Sequence, residues 1–144
     1  MSASMMDLSS IIDDIDASEE PIVVDKGSEQ KLRITYVRSG DAKVKDSGDT
    51  CEYFAPTYEI VGAPLAKELS DFFYVPNKEK LGEKGFQAAS NKIKDWAAAF
   101  KVDLGRPVDY EDDLVGLTGW GIMGLKTTDD YGEQNTVTKY VSGS

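Results

Sequence analysis

Apolar and polar residues alternate over Lys31–Arg38 (KLRITYVR). Leu32, Ile34 and Tyr36 interleave with Arg33, Thr35 and Val37, the period-two pattern of a strand with one face on a core. Residues 39–49 (SGDAKVKDSGD) are rich in Gly, Ser and Asp and predict a loop, which carries Lys43 and Lys45. A second strand is predicted over Thr50–Val61, where Pro56 implies an edge position or a bulge. A third spans Lys67–Val75 and is stopped by Pro76 and Asn77.

The period then changes. Phe86, Ala89, Ile93, Trp96 or Ala97, and Phe100 recur at helical spacing and predict a helix over roughly Glu83–Lys101, with Lys84, Lys92 and Asp95 on its opposite face. Gly82 and Gly85 weaken its first turn, and Gly105 and Pro107 end the segment. After a polar connection, Leu114–Thr127 reads as a strand containing Gly116, Gly119, Gly121 and Gly124, a pattern that marks bends or close approach of another backbone. The hairpin loop TDDYGEQN leads to a last strand over Thr136–Ser142. The order β-β-β-α-β-β predicts a mainly β protein, a five-stranded Greek-key OB-fold barrel with its helix between the third and fourth strands. An open α+β sandwich of the same elements is the competing architecture.

Charge divides the chain in two. The 144 residues carry 16 Lys+Arg against 26 Asp+Glu, a formal net charge of −10. Taken as a total, that disfavours nucleic acid, whose binding domains are usually basic. Asp7, Asp13, Asp14, Asp16, Glu19, Glu20 and Asp25 supply −7 within residues 1–25, which hold no Lys or Arg; residues 26–144 carry 16 basic and 19 acidic groups, a net of −3. The sequence thus divides into an acidic N-terminal arm, 1–25, and one domain, 26–144. Met5, Leu8, Ile12 and Ile15 give the arm a weak apolar strip. It reads either as a leader packed on the body or as a segment that occupies a basic groove or recruits a partner.

The strand pattern also sets out a candidate binding face. In the third strand Leu69, Phe73 and Val75 form an inward set, leaving Phe72 and Tyr74 outward. In the second, Phe54, Tyr58 and Ile60 point in, leaving Tyr53 and Thr57 out. Tyr53, Phe72 and Tyr74 on one face would stack bases. Arg33, Arg38, Lys43, Lys45, Lys126 and Lys139 stand where they would track a phosphate backbone. The plainer alternatives are a second apolar surface beneath the arm or at a subunit interface, and ordinary solubilising lysines.

Catalytic chemistry has little support. The chain has no His, which removes His-based acid/base chemistry and His metal ligands, and a lone Cys, Cys51, read as a strand residue. The clusters Asp109–Asp113 and Asp129–Glu133 lack EF-hand spacing and read as turn caps and solvated loops. GWGIMG at 119–124 does not open a helix and is no dinucleotide fingerprint. The expectation is no enzyme, no metal and no cofactor. No apolar run suits a membrane span and no secretory signal is visible, so the cytoplasm is the expected compartment.

Three segments carry a family resemblance. They are the opening MDLSSIIDDID, the FFYVPN run at Phe72–Asn77 leading into a helix that ends AFKVDLG, and the closing DLVGLTGWGIMGLKTTDDYGEQNTVTKYV with Tyr131, Gly132 and Asn135. Together they cover about half of the chain, and it resembles the small OB-fold single-stranded-DNA-binding proteins of tailed bacteriophages. The resemblance implies sequence-tolerant, non-catalytic binding of single-stranded DNA in phage replication or recombination, in the host cell cytoplasm. It places the contacts on the aromatic and basic residues named above. Several such binders recruit partners through an acidic C-terminal tail, whereas this chain ends KYVSGS. Any recruitment of replication or recombination proteins would fall to the N-terminal arm. The alternative is a protein-interaction or oligomerisation module that binds no nucleic acid, and self-association stays open.

Overall fold

The computed structural model describes residues 22–45, 48–130 and 132–142; residues 1–21 of the acidic arm lie outside them. Two long antiparallel hairpins carry the sheet. β1 (Glu29–Lys43) pairs with β2 (Thr50–Ile60), and β5 (Thr118–Thr128) pairs with β6 (Gly132–Val141). The first part of β1 also pairs with β5, so β1 joins the hairpins. Two short strands, β3 (Leu69–Ser70) and β4 (Phe73–Tyr74), both line up on β2. α1 (Lys78–Phe100) connects β4 to β5.

Among the described residues the result is mainly β: a six-stranded antiparallel sheet ordered β3-β2-β1-β5-β6, with β4 on β2, and one long helix. The expected closed five-stranded barrel is corrected on this point. β3 and β6 approach each other, and Lys67 Nζ donates to the Glu133 carbonyl at 3.4 Å, but no ladder joins the two edges. Residues 22–24 lie across the gap. Lys67 N–H donates to Ile22 O on one side, and Val24 is held on the other by Asn135.

The third strand departs from the single run predicted over Lys67–Val75, and Pro56 is the reason. β3 and β4 share one register on β2, Thr57 opposite Ser70 and Tyr53 opposite Tyr74. Between them Asp71 N–H donates to Pro56 O. Pro56 has no N–H to return, so the ladder is interrupted there. Pro56 therefore does not sit at an edge, and the register shift beside it, between Ile34 and Tyr36, belongs to β1. The proline lies inside a strand flanked on both sides, at the break in its neighbour.

Further boundaries move. The last strand begins at Gly132 rather than Thr136, because Gly132 to Asn135, expected in the hairpin loop, pair with Thr128 to Leu125. β1 extends to Lys43, because Gly40 to Lys43, expected in the loop, pair with Tyr53 to Thr50. The helix begins earlier than Glu83. Asn77 caps it by accepting from Lys80 N–H at 3.0 Å, and Gly82 (φ 73, ψ 175) breaks its first turn from the rest. Tyr110–Leu114 form a π-helical turn capped by Asp109, so β5 starts at Thr118 rather than at Leu114.

The core lies between the inner sheet face and the second half of α1. Leu32, Ile34, Phe54, Tyr58, Ile60, Phe73, Trp96, Phe100 and Met123 are essentially inaccessible, each such side chain contributing roughly 1.5–3 kcal/mol on burial. Trp96 is thus a core anchor, as its helical spacing implies. Three of the four glycines in the fourth predicted strand mark close approach. A Cβ on Gly119 would stand 2.7 Å from the Phe100 ring, one on Gly121 3.0 Å from Val137, and one on Gly124 2.7 Å from Thr136. Gly116 instead supplies a positive φ of 96° at the preceding turn. Trp120 is half-buried on β5.

Candidate nucleic-acid interface

The inward set read for the second and third strands faces the core, while of the outward residues Phe72 is exposed and Tyr53, Thr57 and Tyr74 are half-buried. Leu69 and Phe73 are buried and Val75 packs against the core, whereas Phe72 is 37% exposed. Tyr53 and Phe72 stack with centroids 4.9 Å apart and planes 20° apart; Phe72 and Tyr74 meet edge to face at 4.8 Å and 89°. The three rings form one cluster on the outer side of the sheet. Gly40, opposite Tyr53 on β1, lets that ring lie across the strand, since a Cβ there would already touch it at 3.4 Å.

The backbone of Phe72 is pinned from both sides. Its N–H donates to Asp71 Oδ1 at 2.8 Å, and its carbonyl accepts from Lys92 Nζ on α1. Lys92 also pairs with Asp71 at 2.8 Å and lies 4.5 Å from the Phe73 ring centre. The second Asp71 oxygen accepts from the Tyr140 hydroxyl, which in turn meets the Tyr58 hydroxyl at 2.8 Å. Burial raises the pKa of both phenols; the neighbouring Asp71 charge raises them further, while the bond to Tyr140 pulls Tyr58 the other way. Both stay neutral donors over the ordinary pH range. Asp71 falls in the inward set between Leu69 and Phe73, and a carboxylate at such a position is the signal in the sequence that a buried network lies there.

Tyr36 is the largest correction to the face. Simple alternation puts it inward with Leu32 and Ile34, but it is 56% exposed and Val37 is buried instead. The register shift between Ile34 and Tyr36 inserts one residue and exchanges the faces beyond it. Tyr36 now lies opposite Thr57, two residues from Arg38 on the same outer face, and so adds a fourth aromatic to that side.

The six cations divide. Arg38, Lys43 and Lys45 are exposed at the aromatic end of the face and make no ion pair among the described residues. Tyr74 donates its hydroxyl to the Lys43 carbonyl at 2.7 Å, which ties the aromatic cluster to the β1–β2 connection. Arg33 sits further along the face and is paired with Glu59 at 2.6 Å. Lys126 lies across the sheet gap, where it lines a cleft of about 230 Å³ with Glu68 and Ser70. Lys139, on β6, lines a smaller space with Lys92 and Asp95. The structure therefore puts Arg38 on the same outer face as the rings and Lys45 in the cleft lined by Phe72 and Tyr74, while Lys43 meets the cluster through its backbone carbonyl.

A cleft of about 440 Å³ adjoins the cluster. Phe72 and Tyr74 form one wall, Val44 and Lys45 a rim, and Leu81, Gly85, Ala88 and Ala89 of α1 the facing wall. Phe86 and Ala89, expected in the helical core stripe, are only half-buried, because the first half of α1 borders this cleft and the core begins further along.

The other candidates resolve into structure. Asp109 accepts from the Glu111 and Asp112 N–H groups, and Asp113 accepts from Asp109 N–H, so these carboxylates cap their own turn. Among the described residues no group of three or more His, Cys, Asp or Glu is placed to hold a metal ion, and no helix is long and apolar enough to cross a membrane. Cys51 is a buried β2 residue whose thiol donates to Val75 O, and burial pushes its pKa up. The chain matches no family model, no curated protein and no solved structure.

Proposed function

We propose that this protein binds single-stranded DNA without strong sequence preference and without catalysis, in phage replication or recombination. The observation that carries the reading is the contact cluster of Tyr53, Phe72 and Tyr74 on an outer sheet face, bordered by Arg38, Lys43 and Lys45. Aromatic faces stack any base, and unpaired cations beside them draw in the phosphates. The strand order supports an open form of the OB-fold. β1 bridges both hairpins, the helix lies between the short β3–β4 pair and the second hairpin, and the two sheet edges that such a barrel joins face each other across the Lys67–Glu133 contact. The resemblance to bacteriophage single-strand binders points the same way and suggests the host cell cytoplasm as its setting, with the acidic arm as the segment that would recruit replication or recombination proteins.

The test is an anisotropy titration of the full chain with oligo-dT and with duplex of the same length, at two salt concentrations. Salt-sensitive binding that prefers the single strand is expected. Absence of binding at low salt, together with a stable self-associated state, would replace this reading with that of an interaction module.

A further inference from the structure

We infer that the cleft between Val44–Lys45 and the first half of α1 holds one nucleobase of the bound strand, turned away from the sheet face. The inference rests on the single-strand-binding reading and adds a subsite on the helix side. Its first support is continuity. Phe72 and Tyr74 belong both to the outer cluster and to the cleft wall. Their rings stand at 89°, so a strand stacking along the Tyr53–Phe72 pair meets, at Tyr74, a surface turned by a right angle toward the cleft.

The second support is the character of the walls. Leu81, Gly85, Ala88 and Ala89 face the two rings, which leaves an apolar slot of about 440 Å³, within the range of small-ligand sites. Lys45 stands at the rim, and the chain beside it is held by the Tyr74 hydroxyl on Lys43 O, so a cation borders the entrance where the phosphate of an inserted nucleotide would remain. Lys92, bonded to Asp71 and Phe72 O, serves as part of the fixed wall.

The test combines cleft filling with abasic scanning. Ala88 is exposed on α1 and lines the cleft, so Ala88→Leu narrows the slot at a site where the helix tolerates it. Wild-type protein is titrated with the shortest oligo-dT that binds fully, and with versions carrying one abasic site at each position in turn. One abasic position is expected to weaken wild-type binding about tenfold, the scale of one lost base–aromatic stack. Ala88→Leu is expected to weaken binding of the intact oligonucleotide similarly and to erase the penalty at that position, while Ala88→Ser behaves as wild type. A thermal melt confirms that both variants are folded. Wild-type affinity with unchanged abasic penalties in Ala88→Leu would overturn the subsite. So would tighter binding, which is expected if residues 1–21 rather than a base fill the cleft. Failure of the wild type to bind any oligonucleotide overturns the strand-binding reading itself and is distinguishable from both.

Discussion

The Tyr140 hydroxyl donates to Asp71 Oδ2 at 2.7 Å, joining β6 to the break between β3 and β4. These are the two edges of the sheet that no ladder connects. The sheet is thus fastened across its opening by side chains, through Asp71, Tyr140 and Tyr58, and the same carboxylate fixes the backbone of Phe72 on the outer face. One buried network therefore serves both closure of the fold and placement of the aromatic cluster.

Removing that carboxylate should affect stability and binding together. Asp71→Ala leaves the Tyr140 hydroxyl without its carboxylate acceptor and the Lys92 ammonium with only the Phe72 carbonyl. The expected loss is about 2–4 kcal/mol, with the Lys92 share reduced because that side chain is 41% exposed. Urea denaturation measures the stability loss. Oligo-dT affinity, measured well below the melting temperature, should fall as well because Phe72 loses an anchor. Unchanged affinity in the folded variant would show that the network is structural only.

The neutral phenols set an alkaline limit. Unfolded tyrosine ionises near pH 10, about its ordinary value, whereas burial holds Tyr58 and Tyr140 well above theirs in the folded chain. The folded state keeps protons that the unfolded state releases. This contribution is complete below about pH 10 and is lost as the pH rises above it. Urea midpoints should therefore decline more steeply above pH 10 in wild type than in Tyr58→Phe, and equal slopes would refute the assignment.

Binding should depend on the outer rings more than on the distant cations. Phe72→Ala and Tyr53→Ala are each expected to cost roughly 1–3 kcal/mol in oligo-dT affinity. Lys43→Gln with Lys45→Gln should flatten the salt dependence by about 0.7 per lost phosphate contact in a log–log plot. Lys139→Gln, placed away from the rings, should change the slope little. Equal effects from all three lysines would argue for a diffuse electrostatic surface.

Asn135 should be among the most sensitive positions for stability. It is 5% exposed, accepts from Val24 N–H, and donates to Val24 O and Gly124 O. Asn135→Asp keeps the shape but replaces the two donations with repulsion between oxygens. A loss of about 2–4 kcal/mol is expected in thermal or urea unfolding. A near-neutral result would mean that residues 22–24 are not needed to cover the sheet gap.

Gly119 tests close packing without polar chemistry. A methyl group there meets the Phe100 ring at 2.7 Å and the Ala99 carbonyl at 2.9 Å. Gly119→Ala should destabilise the protein by about 1–3 kcal/mol. Gly62→Ala, where the nearest atom is the Gln30 side chain at 3.9 Å, should be close to neutral in the same melt.

The sequence by itself determined what is local and periodic. Alternation separated Phe72 and Tyr74 from Leu69 and Phe73, helical spacing placed Trp96 and Phe100 in the core, and repeated glycines marked where Phe100 and Thr136 press against β5. Tertiary structure decided what depends on partners distant in the chain. The extra residue near Thr35 turned Tyr36 outward, an offset no alternation pattern contains. Pro56 split its neighbour because its missing N–H happened to face Asp71 across the ladder. Pairing with Glu59 removed Arg33 from the free cations, while the course of β5 and β6 carried Lys126 and Lys139 away from the rings. The physical reason is common to these cases. A side chain's face follows from its own backbone, but its partner, its charge balance and the closure of the sheet are set by segments many residues away.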